Sequence, residues 1–123
     1  MIERQLSLST VLILLSYSVM LAGGQVLFKL AALRYKPSGR VVDDVLAMAL
    51  NPFLVAAIML YAGLSALWVW VLTFVPLSIA YPFVALAFIL AVASGPLLFG
   101  EAYSIRLAIG GALVIAGLLI ITS

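Results

Sequence analysis

Cysteine and histidine are both absent from this chain of 123 residues, and charged residues make up only 8% of it. Without cysteine there is no disulfide framework, no thiolate metal site and no thiol catalysis. Without histidine, the commonest metal ligand and the usual proton shuttle of enzymes are missing. A hydrophobic content of 67% excludes a water-soluble domain, because such domains average about 45–50% apolar residues. The composition predicts a membrane protein.

The few charges are clustered, and residues 45–100 carry none. A membrane span needs about 20 apolar residues, so this stretch alone is long enough for two spans. The net charge of +2 reflects loop residues that set orientation and does not indicate nucleic acid as a partner. The sequence also has no Gly-rich phosphate loop, no nucleophile elbow and no paired carboxylates within a span. We expect no enzymatic activity, no metal and no cofactor.

Four apolar segments predict an all-α membrane protein, with a single domain over 1–123 that forms a bundle of four transmembrane helices. The spans are expected at about 7–32, 52–74, 77–99 and 104–122. Between the first two spans, 41–50 places two acids among apolar residues at near-helical spacing. This pattern predicts a short helix lying in the membrane interface.

Prolines mark where the later helices begin and bend. Asn51 is a good N-cap and Pro52 suits the first helical position, so the second span should begin there. Pro76 ends that span. Pro82 and Pro96 fall inside the third span, where each removes a backbone donor, and we expect kinks at these positions.

The basic residues predict the orientation of the chain. One side of the spans has Lys29 at its margin, and its loops contain four further basic residues, whereas the other side has Arg4 alone. The positive-inside rule then places both termini outside and the loops 33–51 and 100–104 in the cytoplasm. The four loop residues are Arg34, Lys36, Arg40 and Arg106.

Lys29 is the main candidate for a binding residue, because an ionisable residue within a span indicates function. It lies one helical turn after Gln25 on the same face, so an amine and an amide can jointly hold an anionic oxygen. The alternative is a lysine that only extends to the headgroups. Gln25 favours the functional interpretation, since an amide in lipid needs hydrogen-bond partners.

Three further residues are candidates with structural alternatives. Glu101 either caps the fourth helix from a solvated turn or pairs with Lys29 across the bundle. Tyr81 precedes Pro82, next to a carbonyl freed from the helix, where it forms either a cavity wall or a packing kink. Trp68, with Tyr61 nearby, either lines a groove for an acyl chain or anchors the helix at the membrane surface.

Together these segments resemble the four-helix form of the drug/metabolite transporter superfamily, of the EamA-like type. The resemblance is carried by Ala22-Gly23-Gly24-Gln25-Val26-Leu27-Phe28-Lys29, Val75-Pro76-Leu77-Ser78-Ile79-Ala80-Tyr81-Pro82, Phe99-Gly100-Glu101 and Gly110-Gly111-Ala112. The length, the Gly-x4-Lys end of the first helix and the glycine-rich last helix are similar to small multidrug resistance transporters. The Gly-Gln with its following lysine, the Trp-rich second span and the Ala-Tyr-Pro run resemble aminoarabinose-lipid flippase subunits more closely.

One departure separates these two branches. Small drug exporters of this type depend on a glutamate three residues before the motif glycine, and matching Gly24 to that glycine places Leu21 there. Without that carboxylate a cationic drug has no counter-ion, whereas Lys29 suits an anionic substrate.

The resemblance therefore implies translocation of a lipid linked to undecaprenyl phosphate or a similar polyprenyl phosphate across the bacterial inner membrane. In this interpretation Lys29 and Arg34 meet the phosphate, Gln25 and Tyr81 donate hydrogen bonds, and the acyl chain lies against Trp68. Glu101 releases Lys29 or senses its occupancy. The expected partners are membrane lipids and a second small subunit, in a homodimer or a heterodimer. A small-molecule exporter and an accessory subunit of a larger membrane complex remain as alternatives.

Overall fold

The computed structural model of the chain describes residues 7–122, and within them all regular structure is helical, as expected for an all-α protein. Arg4, on which the orientation argument partly depends, lies outside the described residues. The helices are α1 (Leu8–Arg34), α2 (Val41–Ala49), α3 (Pro52–Leu72), α4 (Leu77–Ala80), α5 (Pro82–Phe99) and α6 (Ile105–Thr122).

Three helical stretches are long and apolar enough to cross a membrane: Leu8–Arg34, Pro52–Leu72 and Leu77–Phe99. The last apolar stretch, Ile105–Ile121, is shorter. The chain is thus a multi-pass helical membrane protein with three clear spans, and the crossing by a fourth helix stays a prediction.

Local signals explain where several helices begin and end. The Asn51 side chain accepts hydrogen bonds from the backbone N–H groups of Phe53 and Leu54, at 3.0 and 3.4 Å, which confirms it as the N-cap of α3. Its amide nitrogen donates to the carbonyl of Ala31 at 2.9 Å and so ties the start of α3 to α1. Pro82 separates α4 from α5 at Tyr81, as the proline pattern predicted.

Pro96 behaves differently from Pro82, since it lies inside α5 and the helix continues through it. The helix ends at Gly100, whose φ of 65° lies in the left-handed region that favours glycine. The chain then turns sharply and leads into α6.

The first loop folds back on itself around Asp44. The backbone N–H and the hydroxyl of Ser38 both donate to its carboxylate at 2.9 Å. These hydrogen bonds hold the pKa of Asp44 below its ordinary value. The following helix, α2, confirms the short helix predicted here, and none of its residues is buried.

The long helices form an open row in which α1 packs between α3 and α5, and α6 packs mainly against α5. The helices α1 and α5 run in one direction, and α3 and α6 run in the other. The main buried cluster lies where α1 and α5 begin and α3 ends, and we call this the closed end. It is formed by Leu14, Val71, Val75, Ile79, Ala80 and Phe83.

Candidate functional site

An ion pair lies at the opposite end of the row, near the ends of α1 and α5. The Lys29 Nζ is 2.9 Å from a carboxylate oxygen of Glu101, and the two side chains are 41% and 47% exposed. Of the two alternatives that the sequence left open for Glu101, this contact is the pairing with Lys29 across the helices. It brings together the ammonium of Lys29 on α1 and the carboxylate of Glu101 in the turn that follows α5.

Because Gly95 has no side chain, the Glu101 carboxylate can lie directly over it. The N–H of Glu101 donates to the carbonyl of Gly95 at 3.2 Å, so the turn is folded back over the last helical residues. A Cβ added at Gly95 would lie 2.5 Å from Oε1 of Glu101, which is too close for any real contact. Sequence reasoning missed this role, because a glycine before Pro96 is equally typical of a helix that bends.

Around the ion pair there is a cleft of about 240 Å³ between α1 and α5, which we call the polar cleft. Its polar side chains come from two helices and the turn, and apolar residues of α5 complete the wall. The lining residues are Gln25, Lys29, Ala91, Val92, Ser94, Gly95, Phe99 and Glu101. Gln25 and Lys29 thus share one face, as their spacing predicted.

Gln25 is held by Tyr61 of α3. Its amide donates to the Tyr61 hydroxyl at 2.9 Å, and that hydroxyl donates to the carbonyl of Leu21 at 2.9 Å. The ring of Tyr61 also stacks on Phe28, with centroids 5.3 Å apart. The sequence had indicated Tyr61 only as a lipid-facing or groove-lining residue, so its role in orienting Gln25 was missed.

A second cleft of about 280 Å³ continues from the polar cleft along α5. The two clefts share Gln25 and Ala91, and the second is otherwise apolar, with Leu21, Val84, Ala87 and Phe88 in its wall. Val84 and Phe88 also line a third cleft, of about 440 Å³, which reaches Ser78 and Tyr81. The three clefts share lining residues in succession along α5, whose 18 residues span about 27 Å, and we call them together the groove.

Tyr81 and Trp68 lie at the closed end and do not join the polar cleft. Trp68 stacks on Tyr17 with centroids 4.9 Å apart, and it meets the edge of Tyr81 at 6.4 Å. Tyr81 precedes α5, whereas Glu101 follows it. The structure does not bring Lys29 and Tyr81 together in one cleft, and a contact of Tyr81 with the phosphate stays a prediction.

Arg34 is also separate from the polar cleft. Its guanidinium lies 5.5 Å from the centre of the Phe53 ring, on the side of α1 that faces α3. Five residues separate Arg34 from Lys29, which rotates it by about 140° around the helix. The two cations therefore occupy different faces of α1 and do not form one cluster.

The chemistry available at the polar cleft is that of binding. The cleft offers an ammonium, a carboxylate, an amide and the Ser94 hydroxyl, which donates to the carbonyl of Ala91 at 2.6 Å. Among residues 7–122, no group of three acidic, histidine or cysteine side chains is placed to hold a metal ion. Such a site can hold an anionic oxygen next to an apolar groove.

The chain is similar to the probable 4-amino-4-deoxy-L-arabinose-phosphoundecaprenol flippase subunit ArnE of Sodalis glossinidius, with 36% identity over 67 residues. The match covers 54% of this chain and 60% of that relative. It confirms the similarity to flippase subunits that the motifs indicated. No family model and no solved structure matches the chain.

Proposed function

We propose that this protein moves a polyprenyl-phosphate-linked lipid across the bacterial inner membrane, alone or as one subunit of a flippase. The observation that carries the proposal is the charge distribution along one groove. A lysine ammonium lies in the polar cleft at one end, and the groove that continues from it is almost entirely apolar. This arrangement matches an amphiphile with an anionic headgroup and a long hydrocarbon chain.

The residues of the groove have distinct proposed roles. Lys29 neutralises the phosphate, and Gln25, oriented by Tyr61, donates a hydrogen bond to it. The polyprenyl chain lies against Val84 and Phe88, further along α5. These contacts separate the recognition of charge from the recognition of hydrocarbon.

Other candidate residues act away from the polar cleft. Arg34, at the end of α1, attracts anionic headgroups toward the membrane surface before they reach Lys29. Tyr81 lies in the third cleft, at the far end of the groove, and meets the headgroup after it has moved along α5. Trp68 supports Tyr81 through their edge contact.

The similarity to a flippase subunit supports the same class of substrate. The relative's name describes a lipid in which an amino sugar is linked to phosphoundecaprenol. For this chain we propose the phosphate and the polyprenyl chain as the recognised parts, because these suit a cation and an apolar groove. We also propose a dimer, with a second copy or a related small subunit.

An accessory role is the second candidate, favoured by the open row of helices. Since α6 packs mainly on α5, the four long helices do not surround the groove, and the similar protein is named as a flippase subunit. In this case the chain stabilises a larger flippase. Co-purification of a larger partner in fixed ratio, with no transport by the isolated chain, would favour it.

Native mass spectrometry of protein extracted gently from its own membrane tests the proposal. We expect a bound polyprenyl phosphate in the wild type that is lost in Lys29→Met. Lys36→Met is the matched control, since Lys36 is an exposed lysine in the loop after α1. Bulk phospholipid alone, unchanged by Lys29→Met, would contradict lipid carriage and support the accessory role.

A further inference from the structure

The Lys29 ammonium has an anion of the chain itself as its partner. The Glu101 carboxylate lies 2.9 Å from it, and both side chains are only partly covered by the protein, at 41% and 47% exposure. The pair sums to zero charge. An incoming phosphate would therefore meet a neutral pair and would be repelled by Glu101 at close range.

The Glu101 carboxylate has room to leave. It lies over Gly95, where there is no Cβ, and it extends from a turn in which residues 100–104 are all exposed. The backbone of the turn is fixed by the hydrogen bond from the Glu101 N–H to Gly95. Rotation of the Glu101 side chain alone thus moves the carboxylate into water, while α5 stays in place.

We propose that Lys29 is an anion-exchange site, in which the headgroup phosphate and the Glu101 carboxylate compete for one ammonium. This inference rests on the proposed function and adds which anionic lipids the site selects. A phosphate displaces Glu101 because it brings more acceptor oxygens, one of which also takes a hydrogen bond from the second N–H of the Gln25 amide. When the phosphate leaves, Glu101 returns to Lys29.

Selection against carboxylate lipids follows from this exchange. A fatty-acid carboxylate has the same two acceptor oxygens as Glu101, but Glu101 is already attached to the site, so its effective concentration is high. We therefore expect farnesyl phosphate to bind in the polar cleft and palmitate to be excluded. A site without a competing carboxylate would bind both.

Binding of farnesyl phosphate to the purified full-length protein in detergent tests the exchange. Glu101→Gln removes the competing charge and should tighten binding about twofold to fivefold, the range for partly exposed ion pairs. Gly95→Ala should act in the same direction, because its Cβ would lie 2.5 Å from Oε1 of Glu101. Gly63→Ala is the matched control, since nothing lies within 4 Å of a Cβ added at Gly63.

The outcomes separate the exchange from the proposed function. If Lys29→Met binds farnesyl phosphate as the wild type does, the proposed function fails. If Lys29→Met loses binding while Glu101→Gln and Gly95→Ala bind equally or more weakly, the exchange alone is overturned. The gain from Glu101→Gln should also disappear when Lys29→Met is present, because the two residues act on one site.

A label on the turn gives an independent measurement with Glu101 intact. The chain has no cysteine, so A102C creates a single attachment point for a spin label. Because the Glu101 side chain next to the label moves while the backbone of the turn stays in place, we expect farnesyl phosphate to change the spectrum of this label. Palmitate at the same concentration should leave it unchanged. No change with farnesyl phosphate, at concentrations that saturate binding, would overturn the displacement of Glu101.

Discussion

The two ends of the α1–α5 pair are built in opposite ways. At the closed end, Leu14 and Val71 are fully buried, and Ser18 is buried with its hydroxyl donating to the carbonyl of Phe83 at 2.7 Å. At the other end, Lys29 and Glu101 are 41% and 47% exposed and lie beside the polar cleft. One end joins the helices tightly, and the other leaves space between them.

This difference assigns stability and binding to separate parts of the same helices. The closed end uses close packing and a hydrogen bond between helices, which drive association in lipid. The polar cleft uses groups that remain accessible to a ligand and can change partners. Substitutions at the closed end should therefore reduce stability, while those at the polar cleft should mainly change affinity.

Leu14→Ala should have the largest effect on stability. The side chain is fully buried in the closed-end cluster, and removing it leaves a cavity. Lipid is as apolar as leucine, so the loss is mainly one of packing contacts, and we expect about 2 kcal/mol, the lower limit for such substitutions. Reversible unfolding in mixed micelles measures it. Leu12→Ala, at a position 54% exposed, should reduce the unfolding free energy far less. Equal losses in the two variants would contradict the assignment of stability to the closed end.

Gly24→Ala should have the next largest effect, because Gly24 lies against the Tyr61 ring that holds Gln25 of the polar cleft. A Cβ at Gly24 would lie 2.6 Å from Cζ of Tyr61, so the ring must move and release Gln25. We expect a loss of about 1–2 kcal/mol in unfolding free energy, together with weaker farnesyl phosphate binding. At Gly23 a Cβ would meet nothing within 4 Å, so Gly23→Ala should be tolerated. Similar behaviour of both variants would rule out the Tyr61 contact.

Ser18→Ala should cost less, about 0.6 kcal/mol, the average for a hydrogen bond between helices in a membrane. The Ser18 hydroxyl donates to the carbonyls of Leu14 and Phe83 at 2.9 and 2.7 Å. Unfolding free energy is the measurement, with the exposed Ser16 as the control position for Ser16→Ala. Farnesyl phosphate affinity should not change, since Ser18 lies at the closed end. A loss of affinity would show that the two ends are coupled.

The smallest expected effect is the pH dependence of the loop between α1 and α2. Hydrogen bonds from Ser38 lower the pKa of Asp44 from 3.8, so the charged carboxylate stabilises the folded loop above that pH. This contribution should be lost as the pH falls below 3.8, through the lowered pKa. NMR titration should show the pKa of Asp44 rising toward its ordinary value in Ser38→Ala. The rise should be partial, because the backbone N–H of Ser38, which is the largest cause of the lowered pKa, remains in that variant. An unchanged pKa would show that the Ser38 hydroxyl does not contribute.

Most of the helices could be predicted from the sequence, because their signals are local. Asn51 capped α3 as its residue type indicated, and Pro82 separated two helices as a residue without a backbone donor must. The last apolar stretch, Ile105–Ile121, is helical as predicted, but it is shorter than a typical span of about 20 residues. Helix order in the row was not predictable, because it depends on contacts between distant segments.

The candidate site was predictable only in part. Gln25 and Lys29 were found because they lie one turn apart on one helix, and Glu101 because it follows an obvious turn. Gly95 and Tyr61 were missed, since each acts through a neighbour more than five residues away. The separation of Tyr81 from Lys29 was not predicted, because it depends on the length of α5, which lies between Tyr81 and the Lys29–Glu101 pair.

The open row of helices has a consequence for biogenesis. A chain is synthesised from its N-terminus, so α1 enters the membrane before the helices that pack on it. The main contacts of α3 and α5 are with α1, and those of α6 are with α5. When each later long helix is synthesised, the helix that it mainly contacts has therefore been synthesised already. No earlier contact between helices has to be broken for the next helix to pack.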